Sequence, residues 1–137
     1  MNSEKFITRR IIAGIIDYTI IFSLTSLYIY IFGESDSEGT YNVSGIRTFP
    51  IFIFWLIYIC IVEITLKSTL GNYIVGLKPI DLQTEKSINF KQSFLRHIVD
   101  LVDMMFFGIV AIMVIKNSKE SQRLGDLLAK TKVVRIK

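Results

Sequence analysis

Apolar residues in this chain gather in long blocks, and most of the charged residues lie in the connections between them. The first block runs from Ile11 to Phe32 (IIAGIIDYTIIFSLTSLYIYIF) and holds one charge, Asp17. Wound as a helix it covers roughly 33 Å, about the thickness of a bilayer's hydrocarbon core, and it is expected to span a membrane. Lys5, Arg9 and Arg10 in front of it resemble the basic start of a secretory leader. The apolar run is longer than a leader's, however, and no small-x-small cleavage site precedes Gly33, so an uncleaved helix is expected. The second block, Pro50 to Leu66 (PIFIFWLIYICIVEITL), opens on a proline where a helix tolerates one and carries Glu63 close to its far end. It reads as a second span. Trp55, Tyr28, Tyr30 and Tyr58 are of the type that anchors helices at the membrane interface or packs against lipid.

The third block has two readings, because its clean run, Met104 to Ile115 (MMFFGIVAIMVI), is too short to cross alone. In one, Ile98 to Ile115 spans as a single helix with Asp100 and Asp103 inside. In the other, Phe90 to Asp103 lies in the interface as an amphipathic helix, and the run after it dips into the bilayer and returns. Leu77 to Leu82 and Thr131 to Ile136 read as short strands, which could pair only if they share one side of the membrane. The expected architecture is thus an all-α membrane protein, one domain over residues 1–137. It has two transmembrane helices in a hairpin with the N terminus inside, a third apolar helix that spans or re-enters, and short cytoplasmic strand-like segments.

Charge sets the orientation. Lys5, Arg9 and Arg10 precede the first span, whereas the connection from Gly33 to Phe49 carries only Arg47 among Glu34, Asp36 and Glu38. By the positive-inside rule the N terminus is cytoplasmic, in the cell membrane. The connection from Lys67 to His97 is basic again, which closes the hairpin with both ends inside. A third full span would carry the tail outside, against its Lys116, Lys119, Arg123, Lys130, Lys132, Arg135 and Lys137. A cytoplasmic tail behind a re-entrant segment resolves the conflict.

Composition agrees with lipid. Over 137 residues, 51% are hydrophobic and the mean hydropathy is +0.48. A net charge of +4 would suggest nucleic acid in a soluble protein, but here the basic residues flank the apolar blocks, where anionic headgroups attract them, so no nucleic-acid partner is expected. The single cysteine, Cys60, lies within an apolar run and reads as a small buried hydrophobe.

The chemistry worth weighing is intramembrane charge. Arg10 and Asp17, seven residues apart, return to nearly one face of the first helix with Ala13 and Gly14 between them. Small residues there would admit a second helix closely. A carboxylate at this depth has to be protonated, paired or hydrated. The hairpin brings Glu63 to the same end, so Arg10, Asp17 and Glu63 form the main candidate site, either as ion pairs that fix helix register or as a proton- or cation-coupled site. Gly71 to Lys78 (GNYIVGLK) imitates a phosphate loop but lacks its Lys-Ser/Thr ending. His97 has no second histidine or cysteine to complete a zinc set, so it is expected to pair rather than bind metal. Asn42-Val43-Ser44 matches a glycosylation sequon of a kind that arises often by chance. No nucleophile, base and orienting group can be assembled, so neither enzymatic activity nor a cofactor is expected.

Three motifs occur in order: Arg9-Arg10-Ile-Ile-Ala13-Gly-Ile-Ile-Asp17, Thr69-Leu70-Gly71-Asn72-Tyr-Ile-Val-Gly76-Leu77-Lys-Pro-Ile-Asp81, and Arg123-Leu-Gly125-Asp126-Leu-Leu-Ala129-Lys-Thr131-Lys-Val133-Val134. Together they resemble the RDD family, named for an arginine and two aspartates. The resemblance implies that Arg10 and Asp17 are the first two of these and Asp126 the third, with Asp100 and Asp103 as competitors and Arg123 as a further candidate beside it. Asn72 stands where members often have lysine, and Lys130 where they often have glycine. The latter puts in doubt a left-handed turn before Thr131. The second and third motifs are expected to dock at the cytoplasmic face, with Asp126 either reaching Arg10 or the basic helix ends, or capping the helix that follows. The family's function is largely unassigned, and the resemblance implies transport of ions or small ligands, including sodium/proton exchange. The competing expectation is a membrane scaffold or assembly factor. The expected partners are the lipid bilayer, a second copy or another membrane protein, and a monovalent cation or proton.

Overall fold

A computed structural model describes residues 6–103 and 108–136. Helix α1 (Ile7–Phe32) begins one turn earlier than the apolar block, so Arg9 and Arg10 belong to its first turn. A hairpin of β1 (Glu34–Ser35) and β2 (Tyr41–Asn42), with Gly39 at positive φ in its turn, reverses the chain, and a 3₁₀ turn, Gly45–Thr48, leads into α2 (Phe49–Thr65). Pro50 sits in the first turn of α2, where the amide it lacks would have had no helical partner.

Beyond α2 the elements are short: α3 (Leu70–Ile74), β3 (Leu77–Asp81), α4 (Phe90–Ile98), α5 (Asp100–Asp103), α6 (Ile109–Asn117), α7 (Leu124–Ala129) and β4 (Thr131–Arg135). Strands β3 and β4 pair antiparallel from Leu77 opposite Arg135 to Asp81 opposite Thr131, so the two expected strand segments meet. Pro79 fits because a two-stranded ribbon has only edges. The ribbon, α3, α7 and the start of α1 gather at one end of the long helices, and β1–β2 with the 3₁₀ turn at the other.

Two helical stretches among the described residues, Ile7–Phe32 and Gly45–Ile74, are long and apolar enough to cross a membrane. Only 6% and 17% of their most apolar windows are buried in the protein, the reverse of a soluble core helix. Ile15, Phe22, Ile31, Ile57 and Ile61 point outward, while the buried positions are Ala13, Asp17 and Ile21 on α1 and Ile59, Cys60 and Glu63 on α2. These faces meet in a small cluster of Ile21, Ile59 and Cys60, with Tyr18, Trp55, Tyr58 and Phe94 packed on it. Trp55 and Tyr58 thus contribute to helix packing. Tyr28, which donates to the Arg47 carbonyl at 3.1 Å, and Tyr30, against Tyr41, sit at the hairpin end.

Expectations for the third block need correction. Ile98 to Ile115 is not one helix, because α4 ends at Ile98 and α6 starts only after Gly108, which takes a left-handed conformation (φ 81°). Helix α6 has nine residues, roughly 14 Å, too few to cross. Met104 to Phe107 of the expected run, like Lys5 and Lys137, lie outside the described residues. Helix α4 is amphipathic as expected, but its polar stripe does not face water. Ser93, Arg96, His97 and Asp100 are buried, between α2 and α7, whereas Phe90 is exposed. The reason lies in α2, whose buried Glu63 needs donors that only this stripe supplies.

Candidate functional site

Each element gathered around the start of α1 brings one or two charged groups, and the geometry follows from what each can reach. Arg10, in the first turn of α1, extends past the helix end. Its Nη2 donates to Asp126 Oδ2 at 2.6 Å and its Nη1 to the Ser121 carbonyl at 2.6 Å. Arg9 donates to the carbonyl of Val75 at 2.7 Å. An Arg10–Asp17 pair, expected from their shared stripe, does not form. Seven residues separate them by roughly 10 Å along the axis, and the arginine side chain runs toward the helix start.

Asp17 instead receives the Gly71 amide of α3 on Oδ1 at 2.7 Å. That approach demands glycine, since a Cβ at position 71 would overlap the Ala13 carbonyl and come within 2.9 Å of the Asp17 carboxyl carbon. Ala13 therefore admits α3 rather than a second long helix, and Gly14 has open space where a Cβ would stand. The glycines of the false phosphate loop have structural work: Gly71 lets α3 dock, and Gly76 (φ 74°) turns the chain from α3 into β3.

Glu63 is not near solvent, as its position toward the helix end suggested, but completely buried. It binds not Arg10 but Arg96, together with Ser93 Oγ at 2.6 Å and His97 Nε2 at 3.0 Å. Arg96 turns its Nε to Asp126 Oδ1 at 2.8 Å and so bridges α2 and α7. His97 Nδ1 lies 2.7 Å from Asp100 Oδ2, which also accepts from the Tyr18 hydroxyl at 3.3 Å. Arg123 Nη1 is 2.8 Å from Asp100 Oδ1, and its Nε is 3.8 Å from Asp103 Oδ2. Asp103 Oδ2 accepts the Gly125 amide at 3.2 Å, while its Oδ1 has no hydrogen-bond partner among the described residues.

Asp126 fills both roles expected of it. It reaches Arg10 and, through Oδ2, also accepts the Arg123 amide at 3.2 Å at the start of α7. Burial pushes its carboxyl up, but Arg96, Arg10 and Arg123 outweigh that and hold it well below the usual carboxylate range. Asp81 ends β3 by accepting from the Thr84 and Gln83 amides and from Gln92, and these bonds hold its carboxyl down at about 2. Lys130 keeps the left-handed turn before Thr131 (φ 54°, ψ 51°), so the absence of glycine does not remove it.

Arg96 and Ser93 were not among the candidate site residues, and His97 was expected to pair but with no partner named. Their signal was present as polar residues at three- and four-residue spacing through Asp100, a stripe that in lipid must face protein. Ser68, whose hydroxyl donates to the Leu77 carbonyl at 2.7 Å, and Gln122, whose amide donates to the Thr131 carbonyl at 2.6 Å, extend the polar interior into the ribbon.

A cavity of about 290 Å³ lies beside the network, between α1 and α6. Ile11, Ile15, Ile112 and Ile115 make apolar walls, and Asp17, Asn72, Asp100 and the arginines Arg10, Arg96 and Arg123 line its polar part. Five buried carboxylates, Asp17, Glu63, Asp100, Asp103 and Asp126, are set against three guanidinium groups and the His97 imidazole. The unmatched carboxylate is Asp17, which has no basic side chain at ion-pair distance among the described residues. Such a group can exchange a proton for another cation.

No curated protein and no solved structure matches the chain. The model of the RDD family matches residues 5–130, which include all the charged groups of the network, and the chain belongs to the RDD family.

Proposed function

We propose that this protein is a multi-pass transporter of the cell membrane that exchanges protons for a cation at Asp17. The observation that carries the reading is that Asp17 is a buried carboxylate on an apolar helix, on the wall of a cavity, and is, among the described residues, the carboxylate of the network without a cationic partner. Charge balance there requires a proton or a bound cation, and competition between the two is the elementary step of exchange. The remaining charges compensate one another and form the frame. The N terminus and basic tail lie in the cytoplasm, α1 and α2 form the hairpin, and α4 to α6 form a re-entrant segment, a reading supported by the β3–β4 pairing and the positive-inside rule. Two spanning helices alone do not enclose an aqueous path, so the working unit is a homo-oligomer.

In everted vesicles, Asp17→Asn is expected to abolish cation-dependent proton flux while the protein still inserts, because asparagine keeps an acceptor for the Gly71 amide but cannot exchange a proton. Unchanged flux would sink the proposal. The saturated pairing of Glu63, Arg96, Asp126 and Arg10 favours a second reading, a non-transporting scaffold whose charges only hold it together. That reading requires a membrane partner recovered by crosslinking, and no flux in the unmodified protein.

A further inference from the structure

We infer that the cavity between α1 and α6 binds an organic cation, an ammonium head on an apolar body; this rests on the exchange reading above and names its substrate class. The walls argue first. An inorganic cation gives up its water only to a cage of oxygen donors. Here Asp17, Thr69 and Asn72 contribute oxygens, but the lining also includes Ile11, Ile15 and Ile112 together with Arg10, Arg96 and Arg123. A bare ion would gain nothing from the isoleucines, whereas an apolar body attached to a cation would be buried against them. Size argues the same way, since about 290 Å³ is many times the volume of a bare ion and near the lower end, roughly 300 Å³, of pockets that hold small organic ligands.

The sign of the head group follows from which charges are already committed. Arg10 donates to Ser121 and Asp126, Arg96 to Glu63 and Asp126, and Arg123 faces Asp100, so the arginines on the cavity are neutralised by carboxylates. Asp17 is not, and the network as a whole has more carboxylates than cations. Binding would replace the Asp17 proton: the carboxylic acid releases H⁺ and the resulting carboxylate pairs with the ammonium head.

The test is equilibrium binding of radiolabelled benzyltrimethylammonium to the full chain in nanodiscs of neutral phosphatidylcholine, with benzenesulfonate as an anion of similar size. Saturable binding of the cation is expected, with release of protons into a weakly buffered medium. Asp17→Asn should weaken it by at least about tenfold, the scale of one lost charge-assisted contact. Ile112→Trp, which fills the cavity and touches none of the charges, should weaken it similarly. Absence of saturable binding to the unmodified protein, binding indifferent to both substitutions, or preference for benzenesulfonate each overturns the inference. Proton flux driven by sodium or potassium without benzyltrimethylammonium binding would remove this inference and leave the exchange reading standing. Binding without any cation-dependent flux would do the opposite.

Discussion

Arg96 stands between two carboxylates that solvent does not reach, Glu63 on α2 and Asp126 on α7. Removing a cation from such a place leaves both acids buried and uncompensated, which is far worse than losing a surface pair. Arg96→Met is therefore expected to destabilise the protein by on the order of 3–5 kcal/mol. Glu63→Gln should cost less, because Ser93 and His97 still offer partners to the amide and Arg96 keeps Asp126. Cys60 provides the measurement: it is the single cysteine and is buried, so its thermal exposure to a thiol-reactive dye reports unfolding. Asp126 adds a pH dependence. Its carboxyl is held below the ordinary range in the folded protein, so its contribution is fully present above the unfolded-state value and is lost as pH falls through the folded one. Melting followed by Trp55 fluorescence should therefore show no loss from this group between about pH 5 and 8, and a loss in acid below about pH 4 that Asp126→Asn abolishes.

At the scale of elements, close approach of short helices matters more than their length. Helix α3 is five residues long, yet it covers Asp17 because Gly71 meets the Ala13 carbonyl directly, and α7 meets α4 in the same way, where a Cβ on Gly125 would overlap the Arg96 carbonyl. Gly71→Ala is expected to push α3 off α1, lower the temperature at which Cys60 reacts, and weaken any activity that depends on Asp17. Lys130 gives a change of opposite sign. It holds a left-handed conformation that strains every residue with a side chain, by about 1–2 kcal/mol in a regular setting. Lys130→Gly relieves that strain and gives back part of it through greater freedom in the unfolded chain, so a net gain of about 0.5–1 kcal/mol in the same assay is expected.

Taken as a whole, the molecule is polar where a soluble protein is apolar. Its described buried residues include Asp17, Glu63, Arg96, His97, Asp100, Asp103 and Asp126, while isoleucines and phenylalanines cover the long helices outside. Such an inversion suits a lipid surrounding, where the exposed apolar surface is kept from water. The paired ribbon β3–β4 holds the connection after α2 and the tail together, and the proposed topology puts both in the cytoplasm. A cysteine placed at position 137 in a Cys60→Ser background should accordingly be shielded from impermeant maleimide in intact cells and labelled in everted vesicles. Labelling in intact cells would contradict the cytoplasmic tail and require another crossing.

What the chain determines by itself is whatever depends on its own local pattern. Unbroken apolar runs of helical length identify α1 and α2 wherever they pack, because lipid rewards composition and length. Of the two ribbon strands β4 is legible for a similar reason, as a short segment rich in β-branched residues (Thr131, Val133, Val134), while β3 has only Ile80 and reads as a strand by its short length between turns. The third block was not legible in this way, since its course depends on Gly108 breaking the helix and on Glu63 drawing Ser93, Arg96 and His97 inward. Pairing, too, was decided only in three dimensions. Helical spacing puts Arg10 and Asp17 on nearly one face of α1, but which carboxylate an arginine meets depends on the elements that fold back on it. Asp126, more than a hundred residues from Arg10 in sequence, takes the arginine, and Asp17 is left facing a backbone amide and a cavity.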